Sequence, residues 1–446
     1  MNILAQIFFA ACLGFVAFLV TKRISILKKT IQLGKPLNRN DQPQQRLKTM
    51  LLVAFGQGKM FQKPIVGAMH FIIYAGFLII NIEVLEIIID GLSGHHRIFA
   101  PIIGTTFYHF LINCFEFLAV GVIVVCVAFL VRRYVLPIKR FQMKELTAIP
   151  RRDALIILVA EIVLMSAFLI NSASDSLLQS LNDHYPKVGT FAFSQFLTPI
   201  FAGMSETSLL VLERTTWWLH ILGILSFSVY VTYSKHLHIA LAFPNTYFSN
   251  LESKGHINNM PTVTNEVKLS LGLIKEADMP AVAADARFGA QDVNDLTWKQ
   301  LMDAYSCTEC GRCTEQCPAN QTGKLLSPRK IMMDTRDRLE EVGKEMLKGK
   351  TQKEALANGK TLFGDYILKE EVMACTTCNA CVDACPINID PLSIIMEVRR
   401  FVAMEKADTP ASWNAMFSNL ENNMAPWKFS PNDRFNWADK VVNADK

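Results

Sequence analysis

The sequence predicts an all-α protein in two parts: a five-helix transmembrane bundle, then a helical, cysteine-rich domain in the cytoplasm. Three observations predict it. Apolar stretches crowd the first half, the two halves carry opposite charge, and eight of the eleven cysteines fall in two short runs near the end. Of 446 residues, 51% are hydrophobic and 19% charged, against roughly 25% charged in soluble domains. So much apolar side chain excludes disorder, and the length excludes a small disulfide scaffold. Residues 1–250 hold 21 Lys+Arg against 12 Asp+Glu (+9), and residues 251–446 hold 24 against 28 (−4), which together give the net +5.

A bilayer core takes about 20 apolar residues per helix. Five stretches qualify: Ile3–Val20, Pro64–Ile82, Phe107–Val131, Ala154–Ile170 and Thr215–Tyr233. The first has no positively charged leader and no convincing small-residue cleavage site, so it reads as a retained span. Residues 22–63 contain ten Lys+Arg and residues 132–152 seven, whereas the second loop holds Arg97 alone and the fourth Lys187 and Arg214. Basic loops stay inside. The N-terminus is therefore expected outside, and everything after Tyr233 on the cytoplasmic side of a bacterial inner membrane. Trp217 and Trp218 open the fifth span as an interfacial belt, and Lys235 closes it. Charge that orients spans gives no reason to expect a nucleic-acid partner. The expected division is a membrane domain at 1–240, a linker at 241–290, the cysteine domain at 291–405 and a tail at 406–446.

The cysteine runs are Cys307-x2-Cys310-x2-Cys313-x3-Cys317-Pro318 and Cys375-x2-Cys378-x2-Cys381-x3-Cys385-Pro386. This is the spacing of bacterial two-cluster ferredoxins, in which three close thiolates serve one cluster and the fourth reaches across to the other. The expected sets are Cys307, Cys310, Cys313 with Cys385, and Cys375, Cys378, Cys381 with Cys317. Zinc takes paired C-x2-C units and has no use for this pattern twice over. Disulfides are disfavoured in a reducing compartment. The reading is two [4Fe–4S] clusters. No strand alternation surrounds the runs. Asp295–Tyr305 and Ile331–Leu347, the latter opened by Ser327-Pro328, read as helices.

Clusters in the cytoplasm and helices in the membrane call for a connection, and haem b held by two histidines is the usual one. His95, His96, His184 and His256 fall in loops and read as surface residues. From His220 to His238 is 18 residues, five helical turns, so both would share one face about 27 Å apart. His236 would lie round the helix from them, at a solvated interface. His70, close to Lys63, is at the inner depth and pairs with His238. His109, near the outer end of its span, pairs with His220. One or two haems are expected, against the alternatives of packing histidines or quinone and proton ligands.

The stretch Leu219-His220 followed by Ser234-Lys235-His236-Leu237-His238-Ile239 resembles the last helix of the cytochrome b (gamma) subunit of respiratory nitrate reductase. That family carries a second pair of histidines on its second helix, where this chain has His70 and Asn81. The resemblance therefore implies the inner haem and leaves the outer one unsupported. Cys307-Thr-Glu-Cys310-Gly-Arg-Cys313 and Ser327-Pro-Arg-Lys330 resemble the small α-helical iron–sulfur subunit of heterodisulfide reductase. Gly67-Ala-Met-His70, Gly76-Phe77 and Asp295-Leu-Thr-Trp298 are similar to a bacterial family of membrane iron–sulfur oxidoreductases that fuses both parts. That family includes proteins linking electron transfer flavoprotein to menaquinone. The chain has no paired Cys-Cys of the kind heterodisulfide-reductase-type catalysis uses, and no Gly-x-Gly-x-x-Gly, so it offers no sequence case for a Rossmann dinucleotide site of its own. A partner is expected: electron transfer flavoprotein, or a cysteine-rich heterodisulfide-reductase-like subunit. The implied function is respiratory electron transfer between that partner and the menaquinone pool. The alternative is a non-catalytic membrane anchor and electron wire with the quinone or substrate site elsewhere. A redox sensor lacks an output domain. Glu83, Glu86, Glu116 and His109 are ionisable groups in or near the spans, each read as structural rather than quinone-binding. No catalytic residue is assigned.

Overall fold

Long helices account for the membrane half of the computed structural model, which describes residues 2–281 and 287–442. Residues 282–286 of the expected linker and 443–446 of the expected tail lie outside the described residues. The helices are α1 (Ile3–Ile31), α2 (Pro64–Ser93), α3 (Thr105–Tyr134), α4 (Ile149–Leu178) and α5 (Glu206–Val231). Helices α1 to α4 are long and apolar enough to cross a membrane. Helix α5 covers most of the fifth predicted stretch but is diluted by Glu206, Glu213, Arg214 and His220. Among the described residues there is no strand, only the isolated bridges Lys35–Thr297 and Phe363–Ile367.

The helices pack in chain order, α2 on α3, α3 on α4 and α4 on α5, with α1 lying across α2 and α5. Small residues set the close approaches, as in membrane bundles generally. A Cβ on Gly76 would collide with Val122, and one on Gly91 with Phe9. The helices run past the predicted apolar limits. At 1.5 Å per residue, the 29 residues of α1 rise about 44 Å, beyond a core of about 30 Å. The excess docks on the cysteine-rich half. Arg23 donates to Glu340 at 2.5 Å, and the Thr30 and Tyr305 hydroxyls meet at 3.0 Å.

Five helix ends converge on that half. They are the C-termini of α1, α3 and α5 and the N-termini of α2 and α4, so the five alternate in direction. Lys63, just before α2, reaches Glu315 at 2.6 Å. Arg140, after α3, reaches the same carboxylate at 2.7 Å. Lys235, after α5, is 3.6 Å from Asp153 of α4 and 2.8 Å from Glu309.

The second half is built from α6 (His238–Tyr247), α7 (Trp298–Ser306), α8 (Pro328–Leu347) and α9 (Pro391–Arg400). Thr297 and Gln300 form a capping box at α7, and Ser327 with Pro328 opens α8. Both helices lie within a residue or three of their predicted limits. The expected linker is different: it begins inside α6 and contains a second helix, Pro261–Ser270. Its Pro and Asn suggested irregular chain, but Pro244 is tolerated and Ala242 is buried. Leu27, Leu237 and Ala242 join Ile331, Leu339 and Ile395 in one apolar core, so the two halves are continuous.

Arg338 is fully buried midway along α8, donating to Asp292 from Nε at 2.9 Å and from Nη2 at 2.7 Å. Removing one partner of such a pair strands the other charge. Arg338→Ala is expected to destabilise the chain by about 3–5 kcal/mol, read as a fall in the denaturant midpoint of the purified protein. A change below about 0.5 kcal/mol, the range of ordinary surface substitutions, would contradict this role.

Candidate functional site

The two cysteine runs fold alike. After Cys307, Glu309 (φ 57°) and Gly311 (φ 74°) are left-handed; after Cys375, Thr377 (φ 57°) and Asn379 (φ 60°) take the same places. Left-handed residues at these two offsets curl the chain into a loop whose N–H groups point inward, an arrangement that favours negative charge. Gly and Asn are the residues that best tolerate that conformation at the second offset. Thr377 N–H donates to Cys375 Sγ at 3.4 Å, and Ile389 N–H to Cys385 Sγ at 3.3 Å. A short helix follows each loop, Arg312–Glu315 and Ala380–Ala384, and brings the fourth cysteine round.

The fourth cysteine of each run crosses to the other. Cys307, Cys310, Cys313 and Cys385 line one cavity with Met332, Ile387 and Ile389. Cys375, Cys378, Cys381 and Cys317 form a second group within electrostatic reach of one another. All eight thiols are free. Burial pushes Cys307 up to about 11 and Cys385 up to about 12, and raises Cys313, Cys375 and Cys381. Thiols so placed stay protonated until a cationic centre displaces the protons. Among the described residues no three His, Cys, Asp or Glu side chains close on a single metal ion. Four soft sulfur donors spread around an apolar cavity fit a polynuclear iron–sulfur centre. Cys378 alone of the eight is exposed.

Cations surround the cages. Lys59 Nζ donates to the Cys385 carbonyl at 3.2 Å, and Arg399 Nη2 to the Cys375 carbonyl at 2.6 Å. The buried Arg312 donates to the Lys59 carbonyl at 3.2 Å and acts on Cys310, Cys385 and, across the boundary with the bundle, His70. Glu309, inside the first loop, lies between Lys235 at 2.8 Å and Arg336 at 2.5 Å. Burial alone would raise Glu309, but these two cations hold it below the ordinary carboxylate value.

The histidines depart from the helical arithmetic. Helix α5 ends at Val231, and Ser234 is extended and caps a new turn by accepting from His236 N–H at 3.1 Å. His220 and His238 therefore do not share one continuous helix. The break nevertheless leaves His238 within electrostatic reach of His70. His236 is not at a solvated interface. Its ring stands edge-on to His238 at 5.4 Å and against Phe227 at 5.7 Å, and burial drives it down to about 3. Burial also lowers His238, favouring its neutral form. Its Nδ1 lies 3.1 Å from the Lys235 carbonyl, an acceptor, so Nδ1 carries the proton and Nε2 presents its lone pair. His70 Nδ1 is buried with no hydrogen-bond partner. A neutral ring with a fixed tautomer and a second ring with an orphaned nitrogen fit haem ligation.

The outer pair is not assembled in this way. His109 Nε2 lies 2.5 Å from the Thr190 carbonyl and 3.2 Å from Asn113 Nδ2. His220 is buried against Phe168 at 6.1 Å with Nε2 unpartnered. His96, expected at the surface, is instead 3.6 Å from the buried Asp175. The sequence pattern missed His236, Arg312 and His96. Only the first had a signal, since Ser234 before Lys235 and His236 is a helix-start residue.

Residues 306–389 match the 4Fe-4S dicluster domain family. Over 459 residues the chain is 28% identical to a probable iron-sulfur-binding oxidoreductase, FadF, of Bacillus subtilis, covering 96% of this chain and 59% of that protein. Over 430 residues it is 28% identical to the EtfAB:quinone oxidoreductase of Syntrophomonas wolfei, covering 91% and 55%. Over 172 residues it is 33% identical to a probable membrane-anchored ferredoxin of Chromohalobacter salexigens, covering 35% and 25%. The chain thus spans a little over half the length of the first two. No solved structure matches it. Its relatives are iron–sulfur oxidoreductases.

Cys385→Ser and Cys378→Ser, one from each group, are each expected to lose about half of the bound iron and acid-labile sulfide. Cys126→Ser, buried in α3, is expected to keep all of it. Full iron content in both cage variants would contradict the grouping.

Proposed function

We infer that the chain is an oxidoreductase: the membrane-embedded electron-transfer part of a quinone-linked system, working between a cytoplasmic redox partner and the menaquinone pool. One observation carries it. His70, His236 and His238 gather at the end of the bundle that faces the Cys307 loop, where Lys235, beside His236, reaches Glu309 of that loop at 2.8 Å and Lys63, ahead of His70, reaches Glu315 at 2.6 Å.

In this reading, residues 1–240 form a cytochrome b-like domain of five spans, with α5 as the fifth. The alternating direction of the five helices supports that count. The basic loops place the cysteine-rich end in the cytoplasm and the N-terminus outside. Residues 241–290 connect to a two-cluster domain at 291–405, and 406–446 form a tail. Cys307, Cys310, Cys313 and Cys385 hold one [4Fe–4S] cluster, and Cys375, Cys378, Cys381 and Cys317 the other. His70 and His238 hold haem b. His109 and His220 are left out, because His109 Nε2 is already engaged.

When bound, the clusters and haem would supply single-electron carriers between the partner and the quinone. The chain's residues set the conditions. Cys378 lies at the surface, where a donor protein can approach. Lys235 and Arg336 fix the first cysteine loop through Glu309. The Lys235 carbonyl fixes the His238 ring. The similarity to the EtfAB:quinone oxidoreductase supports electron transfer flavoprotein as the donor and menaquinone as the acceptor.

Reduced-minus-oxidised spectra test the haem assignment. His70→Ala and His238→Ala are each expected to abolish the b-type signal, while His236→Ala retains it. A full signal in both of the first two variants would sink the assignment.

A further inference from the structure

Beside the first turns of α2 lies an aromatic group that the proposed electron path does not use. The chain reaches it through the helix Pro43–Met50. Arg46 ties that helix to the end of α6, donating to the Tyr247 carbonyl at 3.3 Å and the Ser249 carbonyl at 2.9 Å. The next turn, Leu51–Phe55, is wound wide, and the Gly56 N–H closes it by donating to the Leu51 carbonyl at 2.7 Å. Wide turns of this kind are frequent at functional sites. Met60 and Phe61 then lie close against the start of α2. Gly67 permits this, since a Cβ there would stand 2.8 Å from the Met60 carbonyl. The result sets the Phe55 ring perpendicular to Tyr74 at 6.5 Å, Phe61 against Phe71 at 5.9 Å, and Phe71 against Tyr74 at 6.2 Å.

Two features single this group out. Its rings are open although its polar atom is not: Phe55 is 56% exposed and Phe71 43%, while the Tyr74 hydroxyl oxygen is buried with no hydrogen-bond partner. Tyr74 is ten residues past Pro64, about 15 Å along a helix long and apolar enough to cross a membrane. A hydroxyl in such surroundings costs free energy until an acceptor arrives. Acyl chains cover the rings but bring no acceptor. The group also borders both redox parts. Tyr74 is one turn from His70 on the same helix face. Four residues after Phe55, Lys59 donates to the Cys385 carbonyl at 3.2 Å, and its own carbonyl accepts from Arg312 at 3.2 Å.

We propose that Phe55, Phe71 and Tyr74 form the site at which a lipid-soluble quinone enters from the bilayer. Its flat ring lies against Phe55 and Phe71, and one of its carbonyl oxygens accepts from the Tyr74 hydroxyl. Aromatic side chains favour such a ring, and the hydroxyl gains the partner it lacks. Tyr74 positions the ring and gives up no proton. The site rests on the quinone reading and gives it a place, at the end of the bundle nearest the cysteines.

Binding of a fluorescent hydroxyquinoline N-oxide, an unreactive quinol analogue, to the purified full-length chain in lipid nanodiscs tests the site without turnover. Tyr74→Phe is expected to weaken binding about tenfold, with iron content unchanged. Phe55→Ala is expected to weaken it to a similar degree, about tenfold. Phe110→Ala, whose ring meets Phe107 near the other end of the bundle, is expected to bind as the wild type does. A photoreactive azidoquinone, located by mass spectrometry after illumination of the wild type, covers the case in which a variant fails to fold. Its label is expected within residues 51–55 or 71–74. Label confined to other segments, or an unchanged affinity in Tyr74→Phe, overturns the site and leaves the quinone reading standing. Absence of any binding to the wild type overturns both.

Discussion

Glu309 is the residue on which the arrangement of the two halves turns. A carboxylate inside a cysteine loop, 3% exposed, is costly to bury. It is held there by Lys235 from the end of the bundle and by Arg336 from α8. Lys235 in turn is tied to Asp153 and the Pro150 carbonyl of α4. One buried anion therefore clamps the first cysteine loop, the start of α4 and the chain leading to His238. Neither cation can leave without stranding a charge in the core, so the loop and the histidine segment keep a fixed relation.

The two ends of the bundle are chemically opposite. The end near the cysteines gathers cations and neutral imidazoles: Lys59, Lys63, Arg140, Arg312, Lys235, His70, His236 and His238. Cations there balance the thiolates that an iron–sulfur centre requires, and neutral rings keep their lone pairs available. The distal end gathers acids, with Arg97 paired to Asp175 and Arg214 to Glu213.

Much of this was legible in the residues because it is written locally. The cysteine spacing fixes which thiol crosses over, and the loops fold with left-handed residues at matching offsets in both runs. Basic loops and apolar stretches locate the helices, and His70 lies near the start of α2, whose preceding Lys63 reaches the cysteine-rich half. What was not legible depends on a break or on tertiary contact. The five-turn alignment of His220 with His238 assumed one continuous helix, and Ser234 ends that helix. The burial of His236 follows from the same break. The partners of the distal acids were not legible because Arg97, His96 and Ser194 come from loops. Their meeting with α2, α3 and α4 is a product of packing, with no sequence period to announce it. The linker reading failed at α6 for a related reason: Leu237 and Ala242 are core residues of the second half.

The cysteine-rich half and the histidine-bearing bundle are proposed to form one electron-transfer unit joined to quinone. The most direct measurement is anaerobic titration of the purified chain with a menaquinol analogue, followed at once by optical spectra for b-type haem and by paramagnetic resonance for the iron–sulfur centres. Reduction of both signals in the same molecules is the predicted result. Reduction of neither, or of haem with the iron–sulfur signal untouched at any potential the quinol can reach, would contradict it.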